Sequence, residues 1–133
     1  MEKLIEIRKV TQNEINEIVG RSKFNNYIGY TIVTSERKII CILDNEASCC
    51  ENWDVEYEIY DADLQLLGYK EIKIKVDADE IDEDYDEGSA VIVEVLEVDK
   101  KHLIKLWNSH NGYYAHDYYI YDTSGKLTTN GLI

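Results

Sequence analysis

The sequence is poor in basic residues and has no long apolar run. Fourteen Lys and Arg stand against 27 Asp and Glu, so the 133-residue chain carries a formal net charge of −13. Such a negative field repels phosphate backbones and anionic membrane surfaces, which argues against direct binding to nucleic acid or membranes. The same field attracts a partner protein with a basic face. The alternative is that the charge serves only solubility.

Cysteine and proline are also scarce. The three cysteines, Cys41, Cys49 and Cys50, are an odd set, and two adjacent residues make a poor disulfide pair. We therefore expect reduced thiols and a cytoplasmic protein. No stretch approaches the roughly 18 apolar residues of a membrane span, and charges interrupt residues 1–8 too closely for a signal peptide. The absence of proline has a simple explanation in coding bias and carries no mechanism.

The residues that are present predict one domain over residues 1–133. A hydrophobic content of 44% is enough to offset the entropy of folding. β-branched and aromatic residues dominate the apolar runs, so we expect a mainly β member of the α+β class, an antiparallel meander sheet with one short N-terminal helix. The tail, residues 123–133, is expected to be a turn followed by a short strand or a frayed end.

The element boundaries follow from capping and alternation. Thr11-Gln12-Asn13-Glu14 has the form of a capping box, and Gly20 is a natural residue for the end of the helix. Runs that alternate or are rich in β-branched residues predict the strands. These runs are 3–9, Tyr30–Thr34, Arg37–Leu43, Trp53–Ile59, Tyr69–Val76, Ala90–Val98, Lys101–Asn108 and Tyr114–Tyr121. The predicted core contains Val55, Ile72, Ile74, Val91, Val93 and Leu106.

An acidic segment follows the fifth run of this pattern. Eight of the eleven residues in 77–87 are acidic, so like charges prevent a packed element and predict a solvated loop. We expect this loop to form an acidic partner surface through Asp77, Asp79, Glu80, Asp82, Glu83, Asp84, Asp86 and Glu87. It does not match a calcium EF-hand loop, because the sixth position is Glu87 and the twelfth is Val93. Weak divalent binding is left open.

Two clusters combine thiols, carboxylates, imidazoles and aromatic hydroxyls near predicted strand ends. They span 44–51 and 108–116. The candidate binding residues are Cys49, Cys50, Glu51, His110, Asn111, Tyr113 and Tyr114. Functional loops often meet at one end of a rigid scaffold, so we expect the two clusters to lie against one another. The alternative is that each is a local turn at opposite ends of the fold.

With these two clusters, the chain resembles the uncharacterised domain-of-unknown-function family DUF7448, found in small phage and bacterial proteins. The resemblance covers roughly residues 11–121 and rests on four elements: Asn13–Gly20, Cys49-Cys50-Glu51, Leu66-Leu67-Gly68 and Asn111-Gly112-Tyr113-Tyr114. It implies a shared fold and a phage or prophage setting. It implies no reaction, ligand or cofactor. The 77–87 insert and the high acidity depart from the family pattern.

Metal and nucleophile chemistry are the alternatives for the two clusters. Cys49, Cys50, His110 and His116 offer four zinc-binding atoms, but paired zinc ligands usually stand two to four residues apart, so we expect no metal. A Cys–His nucleophile pair lacks any local signature, and the acidic field raises rather than lowers a thiol pKa. We therefore expect no enzyme activity and no cofactor. Packed or ligand-lining thiols are the simpler interpretation.

These observations predict a non-enzymatic binding protein of phage or mobile-element origin. It would occupy a host protein with a basic face, as a host-defence inhibitor such as an anti-CRISPR or other anti-defence protein would. Exposed tyrosines and tryptophans would anchor the contact. A small-molecule or nucleotide-signal sequestering protein is the alternative, although only Arg8, Arg21 and Arg37 could clamp phosphates. A structural or interaction domain and a homodimer are also left open.

Overall fold

Nine strands and one short helix account for the regular structure of the described residues. The computed structural model describes residues 2–20, 26–45, 52–61, 73–77, 88–97, 99–109 and 116–133. The helix is α1 (Gln12–Val19). The strands are β1 (Leu4–Lys9), β2 (Tyr27–Thr34), β3 (Lys38–Asp44), β4 (Asn52–Asp61), β5 (Lys73–Asp77), β6 (Gly88–Leu96), β7 (Lys100–Ser109), β8 (Asp117–Asp122) and β9 (Thr129–Leu132).

The strands divide between two antiparallel sheets. The five-stranded sheet has the order β1-β2-β3-β8-β9, and the four-stranded sheet has the order β4-β7-β6-β5. A mainly β, antiparallel fold with one short N-terminal helix is thereby confirmed. The strands do not form one continuous meander, however. Strands β4 to β7 form a second sheet, and the chain then returns to the first sheet at β8. Strand β8 pairs with β3, with Cys41 opposite Ile120, and not with its sequence neighbour β7.

Strand alternation explains why the two sheets face each other. In β7 the even-numbered residues His102, Ile104 and Leu106 are buried, whereas the odd-numbered ones between them are half-buried. The inward residues of both sheets form one hydrophobic core. It contains Ile32, Ile39, Cys41 and Leu43 from the five-stranded sheet and Val55, Val91, Val93, Val95, Ile104 and Leu106 from the four-stranded sheet.

The helix covers the outer face of the five-stranded sheet. Thr11 and Glu14 form the predicted capping box, and Gly20 ends the helix with a positive φ of 80°. Ile15 packs on Ile40 and Ile42, which project from β3 to the side opposite the main core. The layers are therefore helix, five-stranded sheet and four-stranded sheet.

The predicted core lies where the sequence placed it, as far as the structure describes it. Val55, Val91, Val93 and Leu106 are buried. Ile74 lies in β5 opposite the buried Val95, whereas Ile72 lies outside the described residues. The tail adopts the strand alternative, since β9 pairs with β8 and Ile133 is buried. Among the described residues, no helix is long and apolar enough to span a membrane.

Candidate functional site

The candidate binding residues of the two clusters fall outside the described residues. This holds for Cys49, Cys50, Glu51, His110, Asn111, Tyr113 and Tyr114, and for Asp79, Glu80, Asp82, Glu83, Asp84, Asp86 and Glu87 of the acidic segment. Asp77 is the last residue of β5. The binding role of these residues stays a prediction, as does their proximity.

The residues that border the two clusters do meet at one end of the sandwich. The first cluster lies between the end of β3 and the start of β4, and the second between the end of β7 and the start of β8. Asn52 pairs with Ser109, which joins one border of each cluster in the four-stranded sheet. Leu43 pairs with Tyr118, which joins the other two borders in the five-stranded sheet.

Trp53 and His116 form the centre of this end. Their rings stack with centroids 4.6 Å apart at an interplanar angle of 26°. The His116 Nδ1 lies 2.7 Å from the Asp44 carbonyl oxygen, and the Trp53 Nε1 donates to the Asn45 Oδ1 at 3.0 Å. A carbonyl oxygen can only accept, so His116 Nδ1 carries the proton and the neutral ring has its lone pair on Nε2. We call Asp44, Asn45, Trp53, Asn108 and His116 the Trp53–His116 cluster.

Ile133 stabilises the Trp53–His116 cluster through hydrogen bonds. His116 and Ile133 exchange two backbone hydrogen bonds, of 2.7 and 3.0 Å. The buried Asn108 side chain donates to the same Ile133 carbonyl oxygen at 3.1 Å. His116 is only 2% exposed, so packing and hydrogen bonds hold the imidazole in one orientation. The geometry suits a rigid scaffold that could support functional residues next to it in the sequence.

A second polar array was missed by sequence reasoning. The Tyr57 hydroxyl lies 2.6 Å from His102 Nδ1, and His102 Nε2 lies 2.9 Å from a Glu97 carboxylate oxygen. The carboxylate accepts from Nε2–H, so in the neutral ring Nδ1 accepts from the tyrosine. Burial, followed by the Glu97 charge, raises the pKa of Tyr57, so its hydroxyl stays protonated. The sequence carried one signal for this array, namely a histidine, His102, at an inward position of an alternating strand.

An open groove lies beside β4, where the two sheets separate. Its volume is about 390 Å³. Val10, Ile28 and Tyr30 line one side, and Asp54 and Val55 of β4 line the other. Tyr27 also borders the groove, and burial together with the nearby Tyr119, Asp44 and Asp117 raises its pKa to about 12. The lining is therefore mixed: Val10, Ile28 and Val55 are apolar, the tyrosines carry hydroxyls, and Lys9 and Asp54 are charged.

The outer face of the four-stranded sheet carries the acidic residues of β4. Asp54 and Glu58 are exposed and Glu56 is half-buried, in the alternation with apolar residues predicted from the sequence. Half-buried apolar residues lie beside them, with Trp107 opposite Asp54 and Leu103 opposite Glu58. No described element covers this face, whereas α1 covers the corresponding face of the other sheet.

Metal binding is not indicated by the described residues. Within those ranges no group of three or more His, Cys, Asp or Glu side chains is placed to hold a metal ion. Cys41 is fully buried, and burial raises the pKa of its thiol. Cys41 is therefore a core residue and not a nucleophile.

The chain is a small acidic β-sandwich with one covering helix, and the Trp53–His116 cluster lies at one end of it. A family model described as "Domain of unknown function (DUF7448)" matches residues 3–120, and the chain belongs to this family. This confirms the family that the sequence motifs indicated. No curated protein and no solved structure matches the chain.

Proposed function

We propose that the chain is a non-enzymatic binding protein of phage or mobile-element origin that occupies a basic face of a host protein. The host protein is a nucleic-acid-binding or defence factor, whose phosphate-binding surface the carboxylates of this chain cover. The acidic partner surface consists of the 77–87 segment and the carboxylates of β4. Inhibition follows because the host protein cannot hold nucleic acid and this chain on the same basic face.

The observation that carries the proposal is the outer face of the four-stranded sheet, which no described element covers. Its described side chains include apolar residues, and none of them other than Ala90 is buried. They are Asp54, Glu56, Glu58, Tyr60, Ala90, Ile92, Glu94, Leu96, Lys101, Leu103, Lys105 and Trp107. Half-buried apolar residues such as Ile92, Leu103 and Trp107 lie among charged ones on this face, and exposed apolar and aromatic surface is typical of a protein-binding site. Tryptophan and tyrosine are the residues most often found as energetic anchors.

The charge of this face favours a basic partner. On β4, β6 and β7, four carboxylates lie on this face against two lysines, and Lys101 is held by Glu94 at 3.0 Å. The whole chain carries −13, so the long-range field has the same sign as this face. Electrostatic attraction of this kind accelerates association and selects partners of opposite charge.

The arginines argue against the nucleotide-sequestering alternative. Arg8 contacts Glu14 at 2.7 Å, and Arg37 contacts Glu2 at 2.8 Å and Asp122 at 2.7 Å. Both guanidinium groups already have carboxylate partners within the fold, so neither is available as a phosphate clamp. Arg21 lies outside the described residues.

Binding to candidate host defence and nucleic-acid-binding proteins, measured by calorimetry at low and high salt, tests the proposal. We expect a complex that high salt weakens, and release of nucleic acid from the host protein. Glu58→Lys should weaken the complex, whereas Glu17→Lys, the same charge change on the exposed side of α1, should weaken it much less. The absence of any salt-sensitive complex with these host factors would contradict the proposal.

A further inference from the structure

Strand β4 is an unusual edge strand. It forms one edge of the four-stranded sheet, pairing with β7 alone in the part of the chain that the structure describes. It is ten residues long, whereas β9, an edge of the other sheet, has four. Alternate residues of an edge strand direct their N–H and C=O groups away from the sheet, where another strand can pair with them.

The exposed side chains of β4 are not those of a protected edge. Proteins protect edge strands with charges, and Asp54, Glu58 and Asp61 fit that role. Ile59 and Tyr60 do not, since they are 54% and 46% exposed. Exposed apolar residues on a long edge favour pairing with a second strand.

The two faces of β4 differ chemically at this edge. On the outer face, Glu56 and Glu58 project beside the position that an added strand would occupy. Toward the other sheet, the groove of about 390 Å³ lies between Asp54 and Val55 of β4 and the residues Val10, Ile28 and Tyr30. An added strand would therefore have carboxylates beside one of its faces, and Val55, the exposed Ile59 and the groove beside the other.

We propose that β4 receives an extended segment of the partner protein as a fifth strand, in which Lys or Arg alternates with apolar residues. This inference rests on the proposed function and specifies the kind of partner segment. Successive side chains of a strand point to opposite faces, so alternate basic residues pair with Glu56 and Glu58 while the apolar ones lie beside Val55, Ile59 and the groove. The ten residues of β4 accommodate a segment of about 33 Å at 3.3 Å per residue.

The other described edges fit such a segment less well. Strand β1 carries Arg8 and Lys9 besides Glu6, so its charges do not select a basic segment. Strand β9 has no charged residue. Strand β5 contains two lysines in its five residues. Only β4, among these edges, combines length, carboxylates and an adjoining groove.

A synthetic ten-residue peptide, with Lys or Arg alternating with Val or Tyr, tests the inference against the full chain. Two N-methylated forms are made, one methylated at every basic residue and the other at every apolar residue. In a paired strand one of these two sets of N–H groups faces β4 and the other faces solvent. We expect one form to lose at least about tenfold in affinity and the other to bind within about threefold of the parent.

Hydrogen exchange on the protein gives a second measurement. Bound peptide should slow exchange of alternate amides in β4 and leave the amides of β9 unchanged. A peptide of the same composition with its basic residues in one block should bind more weakly than the alternating one. Equal affinities of the two methylated forms, or no protection in β4, would overturn strand addition.

The outcomes separate the inference from the proposed function. If a host protein binds in a salt-sensitive way that Glu58→Lys weakens, but the methylated peptides do not differ, the acidic surface binds a folded face and strand addition is wrong. If no host protein binds but the peptide series is asymmetric, β4 accepts strands and the proposed host inhibition is wrong.

Discussion

Glu14 is a buried carboxylate that joins three elements. It accepts hydrogen bonds from Arg8 at 2.7 and 3.1 Å, from the Thr11 backbone at 3.0 Å and from Thr31 at 3.1 Å. Burial alone raises its pKa, but the hydrogen bonds from Arg8, Thr11 and Thr31 outweigh burial and lower the pKa from 4.5 to about 2. The side chain is 7% exposed, so solvent screens these contacts little.

The lowered pKa makes the fold sensitive to acid. The ionised Glu14 contributes about 3 kcal/mol above its unfolded pKa, and this contribution is lost as the pH falls from about 5 to about 2. Glu14→Gln should lower the free energy of unfolding at neutral pH and flatten its pH dependence in that range. Glu17→Gln, on the exposed side of the same helix, should change neither. Urea unfolding at several pH values measures this, and an unchanged acid profile in Glu14→Gln would contradict it.

Position 29 requires glycine because β2 and β3 approach each other closely there. A Cβ at this position would lie 1.9 Å from the carbonyl oxygen of Cys41 in β3. Backbone atoms cannot rotate away as a flexible side chain can, so Gly29→Ala should destabilise the protein by roughly 1–3 kcal/mol. Ser35→Ala, at an exposed position in the β2–β3 turn, is the comparison variant and should cost less. Thermal unfolding gives both values, and a Gly29→Ala variant as stable as the wild type would contradict the strand geometry.

At the scale of the element, the register of β5 against β6 can be tested by substitution. Ile74 lies opposite Val95, which is 1% exposed, and Val76 lies opposite the fully buried Val93. Cross-strand partners share a face of the sheet, so from this register we expect Ile74→Asp to bring a charge to the core and to cost several kcal/mol. Lys75→Thr, opposite the half-buried Glu94, should cost much less. Equal stability of the two variants would show that the register is wrong.

The sequence of β8 alone does not determine that this strand pairs with β3. Its residues Tyr118 and Ile120 are buried in the core shared by both sheets. The alternation in this segment predicts a strand, and that prediction is confirmed. The partner is set by which strand offers a matching inward face, and β3 does so through Cys41 and Leu43.

For the whole molecule, the thiols and the metal content can be measured together. Denatured, reduced protein should contain three titratable thiols, because the chain has three cysteines and none is expected to be oxidised. In the native state Cys41 should remain unreactive, because it is fully buried and burial raises the pKa of its thiol. Elemental analysis should find no stoichiometric zinc. One zinc per chain, lost in Cys49→Ser and His110→Ala, would make the two clusters a structural metal site.

The position of the two clusters is a further prediction for the whole molecule. Their described borders converge on the Trp53–His116 cluster, so we expect the Cα atoms of Cys50 and His110 to lie within about 15 Å, a few chain steps of 3.8 Å. Spin labels at these two positions measure the separation. A distance well beyond this limit would remove the case for a shared site.

The sequence by itself determined the family, the fold class, the capped helix and most strands. These features depend on local information, namely capping at Thr11 and Glu14 and alternation in segments such as Trp53–Ile59. It also indicated the inward residues of β4, β6 and β7, because each strand buries one face. Tertiary structure decided the division into two sheets, the pairing of β3 with β8 and the stacking of Trp53 on His116. These contacts join residues far apart in the chain, and long-range packing, not local pattern, selects between the alternative partners.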